Sequence, residues 1–254
     1  MSFTKESPDS EIIPNIRELQ ALFIDMDDTL VSYREAVLAG LDSVREKIPG
    51  LHETGLEELE KDFRELLSQS LPRLFNKEIS CKNDGRLRMN EILKRHGWNS
   101  TEDEVVHYDN LFWKVFWKKR RLLHNAINLL KLCSEYKVPV AIITNGNPQI
   151  QLKTLTRLKL HDYVDIVLTP MNADEMKPSN TLFERALEIL EVNPERVIMV
   201  GDSFSHDIIG AANAGIIPVW FNNLQKDKTE DVNFVEITSF SELLEKLKSG
   251  GDNE

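Results

Sequence analysis

Six strand-length runs constrain the architecture most, at residues 21–24, 138–143, 164–168, 196–200, 217–221 and 234–237. The run 138–143 is apolar at every position, the pattern of a strand buried on both faces of a parallel sheet. Helical patterns stand between the runs, over 126–136, 148–158, 181–190, 207–214 and 239–247, with Gly215 as a C-cap. Strands alternating with helices make parallel βαβ units with right-handed crossovers. The expected fold class is therefore α/β, a doubly wound parallel sheet. Between residues 34 and 121 the pattern is helical throughout, with no strand-like alternation. This predicts an N-terminal leader over 1–20, a core domain built from 21–33 and 122–248, a helical domain inserted over 34–121, and frayed residues at 249–254.

Composition narrows the function classes. Lys and Arg number 31 against 42 Asp and Glu, a formal charge of -11, and no basic stripe is dense enough to follow a phosphate backbone. Nucleic acid is not an expected partner. The two cysteines, Cys81 and Cys133, form no CxxC pair, which argues against a disulfide scaffold or a cysteine zinc site and for a reducing cytoplasm. No apolar run approaches the roughly 20 residues of a membrane span, so a soluble, cytoplasmic protein without a membrane partner is expected, as monomer or homodimer.

Open parallel sheets bind ligands outside the carboxyl ends of their strands, so residues ending the strands share one crevice. The first strand ends in Asp25 and Asp27, two apart and hence on the same side. Convergent carboxylates repel unless a divalent cation, or a nucleophile with its acid/base partner, uses them. The second strand ends in Thr144-Asn145-Gly146, the third is followed by Lys177-Pro178, and the fourth ends in Gly201-Asp202-Ser203 with Asp207 beyond. These residue types suit phosphoryl transfer, which rests on positioning and charge neutralisation. Asp25 is the expected nucleophile and Asp27 the general acid and base. Thr144 with the backbone of Asn145 and Gly146 donates to phosphoryl oxygens, and Lys177 offsets charge. Asp25, the Asp27 carbonyl and Asp202 offer hard oxygens to Mg²⁺, with Asp207 as an indirect partner.

The four segments, in this order, resemble those of the haloacid dehalogenase superfamily of hydrolases, and the resemblance covers the chain from about residue 21 to 221. It implies a Rossmann-like core and a Mg²⁺-dependent phosphatase acting through phospho-Asp25 on a small-molecule phosphate ester, a sugar phosphate or nucleoside monophosphate. Because 119 positions separate Asp25 from Thr144 and only 33 separate Thr144 from Lys177, the insert resembles an all-α C1 cap that closes over the site. Gln149, Gln151 and Val219-Trp220-Phe221-Asn222 resemble the branch of acylneuraminate-9-phosphatases and pyrimidine nucleotidases. Ser179-Asn180 departs from the Asp-Pro common after the family's Lys-Pro.

Three rivals share this core. A phosphomutase would return the phosphoryl group to a sugar. A 2-haloacid dehalogenase needs no proton donor for its leaving group, so Asp27 argues against it. A catalytically silent binding protein has no need for a costly cluster of acids. Asp28 is expected to be a loop residue, Phe112, Trp113, Phe116 and Trp117 a buried helix face, Lys118 to Arg121 solvated charge, and His206 a bystander. Arg86 and Arg88 of the insert are the candidates for a second anionic group of the substrate.

Overall fold

The computed structural model describes residues 13–172 and 175–249. Contact density divides the chain into two units, one of Met1–Val31 with Leu122–Glu254 and the other of Ser32–Arg121.

The first unit is built on a six-stranded sheet of β1 (Ala21–Ile24), β2 (Val140–Ile143), β3 (Ile166–Leu168), β4 (Val197–Gly201), β5 (Ile217–Phe221) and β6 (Val235–Ile237), in the order β3-β2-β1-β4-β5-β6. Every pairing is parallel. Alternate residues explain why these strands are apolar at each position. Leu22, Ile24, Val140, Ile142, Ile198 and Val200 join one buried cluster, while Ala21, Phe23, Ala141, Ile143, Val197 and Met199 join another on the opposite face. Helices α5 (Ala126–Tyr136), α6 (Pro148–Leu158) and α9 (Phe240–Ser249) contribute Leu129, Leu155 and Leu243 to the first cluster. Helices α7 (Thr181–Leu190) and α8 (Ile209–Asn213) contribute Phe183 and Ala211 to the second. β1 lies between β2 and β4, where the strand order reverses, and that is where open sheets of this kind form their ligand crevice.

The leader expected over 1–20 is corrected for residues 13–20. Ile13, Ile16 and Leu19 are buried in the first cluster, and the Ile16 and Gln20 amides donate to the carbonyls of Leu247 and Arg196, each at 2.8 Å. Apolar side chains spaced three apart reach the core although Pro, Asn and charged residues surround them. Residues 1–12 and 250–254 lie outside the described residues. The helix expected from Asp207 begins earlier, as a π-helical turn over Phe204–Ile208 capped by Ser203, whose hydroxyl accepts from the His206 amide. Among the described residues no helix is long and apolar enough to cross a membrane.

The second unit holds α1 (Arg34–Arg45), α2 (Leu56–Phe75), α3 (Cys81–Arg95) and α4 (Glu102–Lys119) around its own core. Thr101 and Glu104 form a reciprocal capping box at the start of α4. Phe112 and Phe116 of α4 are fully buried, with Trp113 and Trp117 packed against that core.

Candidate active site

The nucleophile expected at Asp25 continues the β1 ladder, its amide donating to the Val200 carbonyl at 2.9 Å. The chain then turns sharply. Asp28 takes a left-handed φ of 62°, tolerated by the short polar Asp side chain, and the Val31 amide returns to the Met26 carbonyl at 2.9 Å.

Lys177 follows β3, and its backbone is clamped by Asn145. The Asn145 Oδ1 accepts from the Lys177 amide at 2.8 Å and its Nδ2 donates to the Lys177 carbonyl at 3.0 Å. The buried ammonium donates to Asp25 Oδ1 at 2.7 Å, to the Ile143 carbonyl at 2.6 Å and to Asp207 Oδ1 at 2.6 Å. All three of its hydrogens are thereby spent, so Lys177 supplies fixed positive charge. Burial alone would discharge it, but the two carboxylates outweigh burial and hold its pKa above the ordinary lysine value. Asp25 is pushed well above the usual carboxylate range, chiefly by burial; Lys177 opposes the shift, and Asp207, Asp27 and Asp202 add to it.

Thr144 follows β2 directly, with only 1% of its surface exposed. Its Oγ1 accepts from the Gly146 amide at 3.0 Å and from Gln151 Nε2 at 3.3 Å. The same Gln151 nitrogen donates to Asp27 Oδ2 at 2.8 Å. Gln151, one turn into α6, is fully buried.

Asp202 ends β4. Its amide donates to Thr29 Oγ1 at 2.9 Å, its carbonyl accepts from Trp220 Nε1 at 3.1 Å, and its Oδ2 accepts from Lys226 Nζ at 3.1 Å. Burial, then the neighbouring Asp207, push its carboxyl up to about 6. Carboxylate oxygens of Asp25, Asp202 and Asp207 all lie within 4.8 Å of one another. Asp207 already accepts from Lys177 at Oδ1 and from the Ser203 amide at Oδ2, so it braces the set, while Asp25 and Asp202 are the acids that can hold a cation. Hard oxygens in a crowded cluster of three acids, two buried and Asp202 half-buried, fit a divalent ion of the Mg²⁺ type. The Asp27 carboxylate is not a member of that cluster; it is turned to Gln151.

The structure thus brings together Asp25, Thr144, Asn145, Lys177, Asp202 and Asp207, and joins Asp27 to Thr144 through Gln151. It does not leave Arg88 available. Arg88 is 7% exposed, donates to Asp84 at 2.7 Å and lies over the Phe63 ring at 4.5 Å, an ion pair already foreshadowed by its i,i+4 spacing. Arg86 has a buried Nε without a hydrogen-bond partner and lines a cavity of about 650 Å³ with Arg73, Asn83 and Ser100 in the helical unit. Sequence reasoning gave no role to Gln151 or Lys226, and it read only the backbone of Asn145. Nothing in the spacing shows that a helical amide, a loop ammonium and a turn side chain reach these partners.

The sequence profile described as haloacid dehalogenase-like hydrolase matches residues 19–215. The glyceraldehyde 3-phosphate phosphatase of Pyrococcus furiosus is 29% identical, over 94% of this chain and 98% of its own. The N-acylneuraminate-9-phosphatase of Homo sapiens is 25% identical over 92% and 96%, which agrees with the branch suggested by the sequence. The HAD-hydrolase YfnB of Bacillus subtilis, crystallised with magnesium, superposes with a TM-score of 0.69 at 20% identity, over 90% of this chain and 98% of its own, a likeness of fold. With a profile match across most of its length, the chain belongs to the haloacid dehalogenase-like hydrolases.

Proposed function

We propose that the protein is a divalent-metal-dependent phosphatase of small phosphorylated metabolites, working through an aspartyl-phosphate at Asp25. One observation carries this reading: a buried Asp25 paired with Lys177 stands among acids at the carboxyl ends of the central strands, with a second carboxyl, Asp27, two residues on and held by Gln151. The relatives that act on a phosphotriose and on a phosphorylated sugar acid support the substrate class.

An Asp25 oxygen attacks phosphorus while the bond to the ester oxygen breaks, and Asp27 gives its proton to the departing alkoxide. Water then attacks the phospho-aspartate and loses its proton to Asp27, releasing orthophosphate and restoring both carboxyls. Thr144 donates to a phosphoryl oxygen, and the fixed charge of Lys177 lies beside the group being transferred. A cation held by Asp25 and Asp202, Mg²⁺ in this reading, supplies neutralisation of the phosphoryl charge.

The test is phosphate release from a panel of phosphorylated metabolites, with Mg²⁺ and with chelator. Release should require the cation, and Asp25→Asn should lower it about 10⁴-fold or more in a protein that still folds. Product carrying its phosphate on another hydroxyl, with little free phosphate, would replace the phosphatase by a mutase. No turnover of any ester by folded protein would retire the enzymatic reading.

A further inference from the structure

Gln151 is fully buried although its side chain is polar, and both acceptors of its amide are groups assigned to the reaction. A carboxamide nitrogen has two hydrogens. One goes to Asp27 Oδ2 at 2.8 Å and the other to Thr144 Oγ1 at 3.3 Å. We propose that Gln151 is a positioning residue that aims the Asp27 proton at the leaving oxygen and the Thr144 hydroxyl at the phosphoryl group.

Two consequences follow from counting hydrogens and lone pairs. Asp27 Oδ2 is the acceptor of the amide, an arrangement that suits the other oxygen, Oδ1, to the proton that is to be delivered. Because Gln151 is neutral and keeps both hydrogens, Oδ2 can accept from it before and, more strongly, after that proton leaves, and the carboxyl keeps its orientation through both halves of the cycle. Thr144 Oγ1 accepts twice, from Gln151 and from the Gly146 amide at 3.0 Å. A hydroxyl whose two lone pairs are taken has only its hydrogen left to offer, which makes Thr144 a donor toward the anion.

The turn is built around this amide. A Cβ on Gly146 would lie 1.8 Å from Gln151 Nε2 and 3.0 Å from Asp27 Oδ2. A side chain at this position would have to push the amide aside, and glycine leaves it in place.

The inference rests on the phosphatase reading, with Asp27 as the acid, and its test separates the two. kcat and KM are measured for an alkyl phosphate that the wild-type enzyme hydrolyses and for para-nitrophenyl phosphate, whose leaving group departs without a proton. Gln151→Met keeps length and removes the donor. It should cut kcat on the alkyl ester about 10- to 100-fold and on the aryl ester several-fold less, with KM little changed. Gln151→Glu, which sets an acceptor against Oδ2, and Gly146→Ala, which displaces the amide, should show the same leaving-group bias, and either decides the matter if the Met variant fails to fold. Equal losses on the two esters, a loss confined to KM, or no loss would overturn the role of Gln151. Failure of the phosphatase reading appears earlier and differently, as wild-type protein without turnover or an Asp25→Asn variant that retains it.

Discussion

Burial raises the carboxyls of Asp202 and Asp25 in the folded chain, Asp202 to about 6 with Asp207 adding to the shift, and Asp25 well above the usual range against the opposing pull of Lys177. Their role toward a cation needs them ionised, so protons and metal compete. The sign is fixed by the direction of the shift. The contribution of Asp202 is fully present well above pH 6 and is lost as pH falls through that value, about tenfold per pH unit below it for the proton displaced. Calorimetric titration of Mg²⁺ at about pH 5, 6 and 7.5 should show this fall, and an affinity flat across the range would remove Asp202 as a ligand. Asp25, Asp27 and Asp202 were legible in the sequence because each ends a recognisable strand. Gln151 and Lys226 were not, since their partners lie 124 and 24 positions away. Arg88, a candidate for a substrate anion, goes the other way: its partner Asp84 sits one turn earlier, and that local pair, visible in the sequence, consumes its charge.

Helices α1 and α4 are joined where a glycine of one meets a phenylalanine of the other. A Cβ on Gly40 would stand 2.6 Å and 2.8 Å from the Phe112 ring and 3.1 Å from the Phe112 carbonyl. That ring cannot retreat, because it stacks on Phe63 at 5.3 Å and on Phe116 at 6.0 Å between centroids. Gly40→Ala gains about 1 kcal/mol of helix propensity against about 1–3 kcal/mol of overpacking. The expected result is a loss of up to about 2 kcal/mol in denaturant unfolding, with Gly50→Ala, which meets nothing within 4 Å, as the neutral comparison; a stabilised Gly40→Ala would refute the packing argument. At this scale the sequence was most informative where periodicity was strong, as in the helices and the six strands. It failed at residues 13–20, where burial depends on what Ile13, Ile16 and Leu19 meet across the fold rather than on their neighbours in sequence, and at the start of α8, where the Ser203 cap rather than apolar spacing decides.

The whole molecule carries a formal charge of -11, yet its proposed substrate is a dianion. Two fields of opposite sign therefore act on an approaching ester. The long-range one is repulsive and belongs to the whole surface; the short-range one is attractive and comes from Lys177, Lys226 and a cation held among the acids. They differ in reach, and salt separates them. Raising ionic strength from about 0.01 M to about 0.15 M shortens the screening length from about 30 Å to about 8 Å, which weakens the repulsion over the surface but barely touches bonds such as the 2.7 Å contact of Lys177 with Asp25. At saturating Mg²⁺, kcat/KM for a dianionic ester should therefore rise several-fold with salt while kcat stays constant. Stopped-flow or initial-rate measurements across that range decide the point. A kcat/KM that falls with salt would mean that the local positive field extends into solvent and steers the substrate, and the acidic surface would then have no part in its capture.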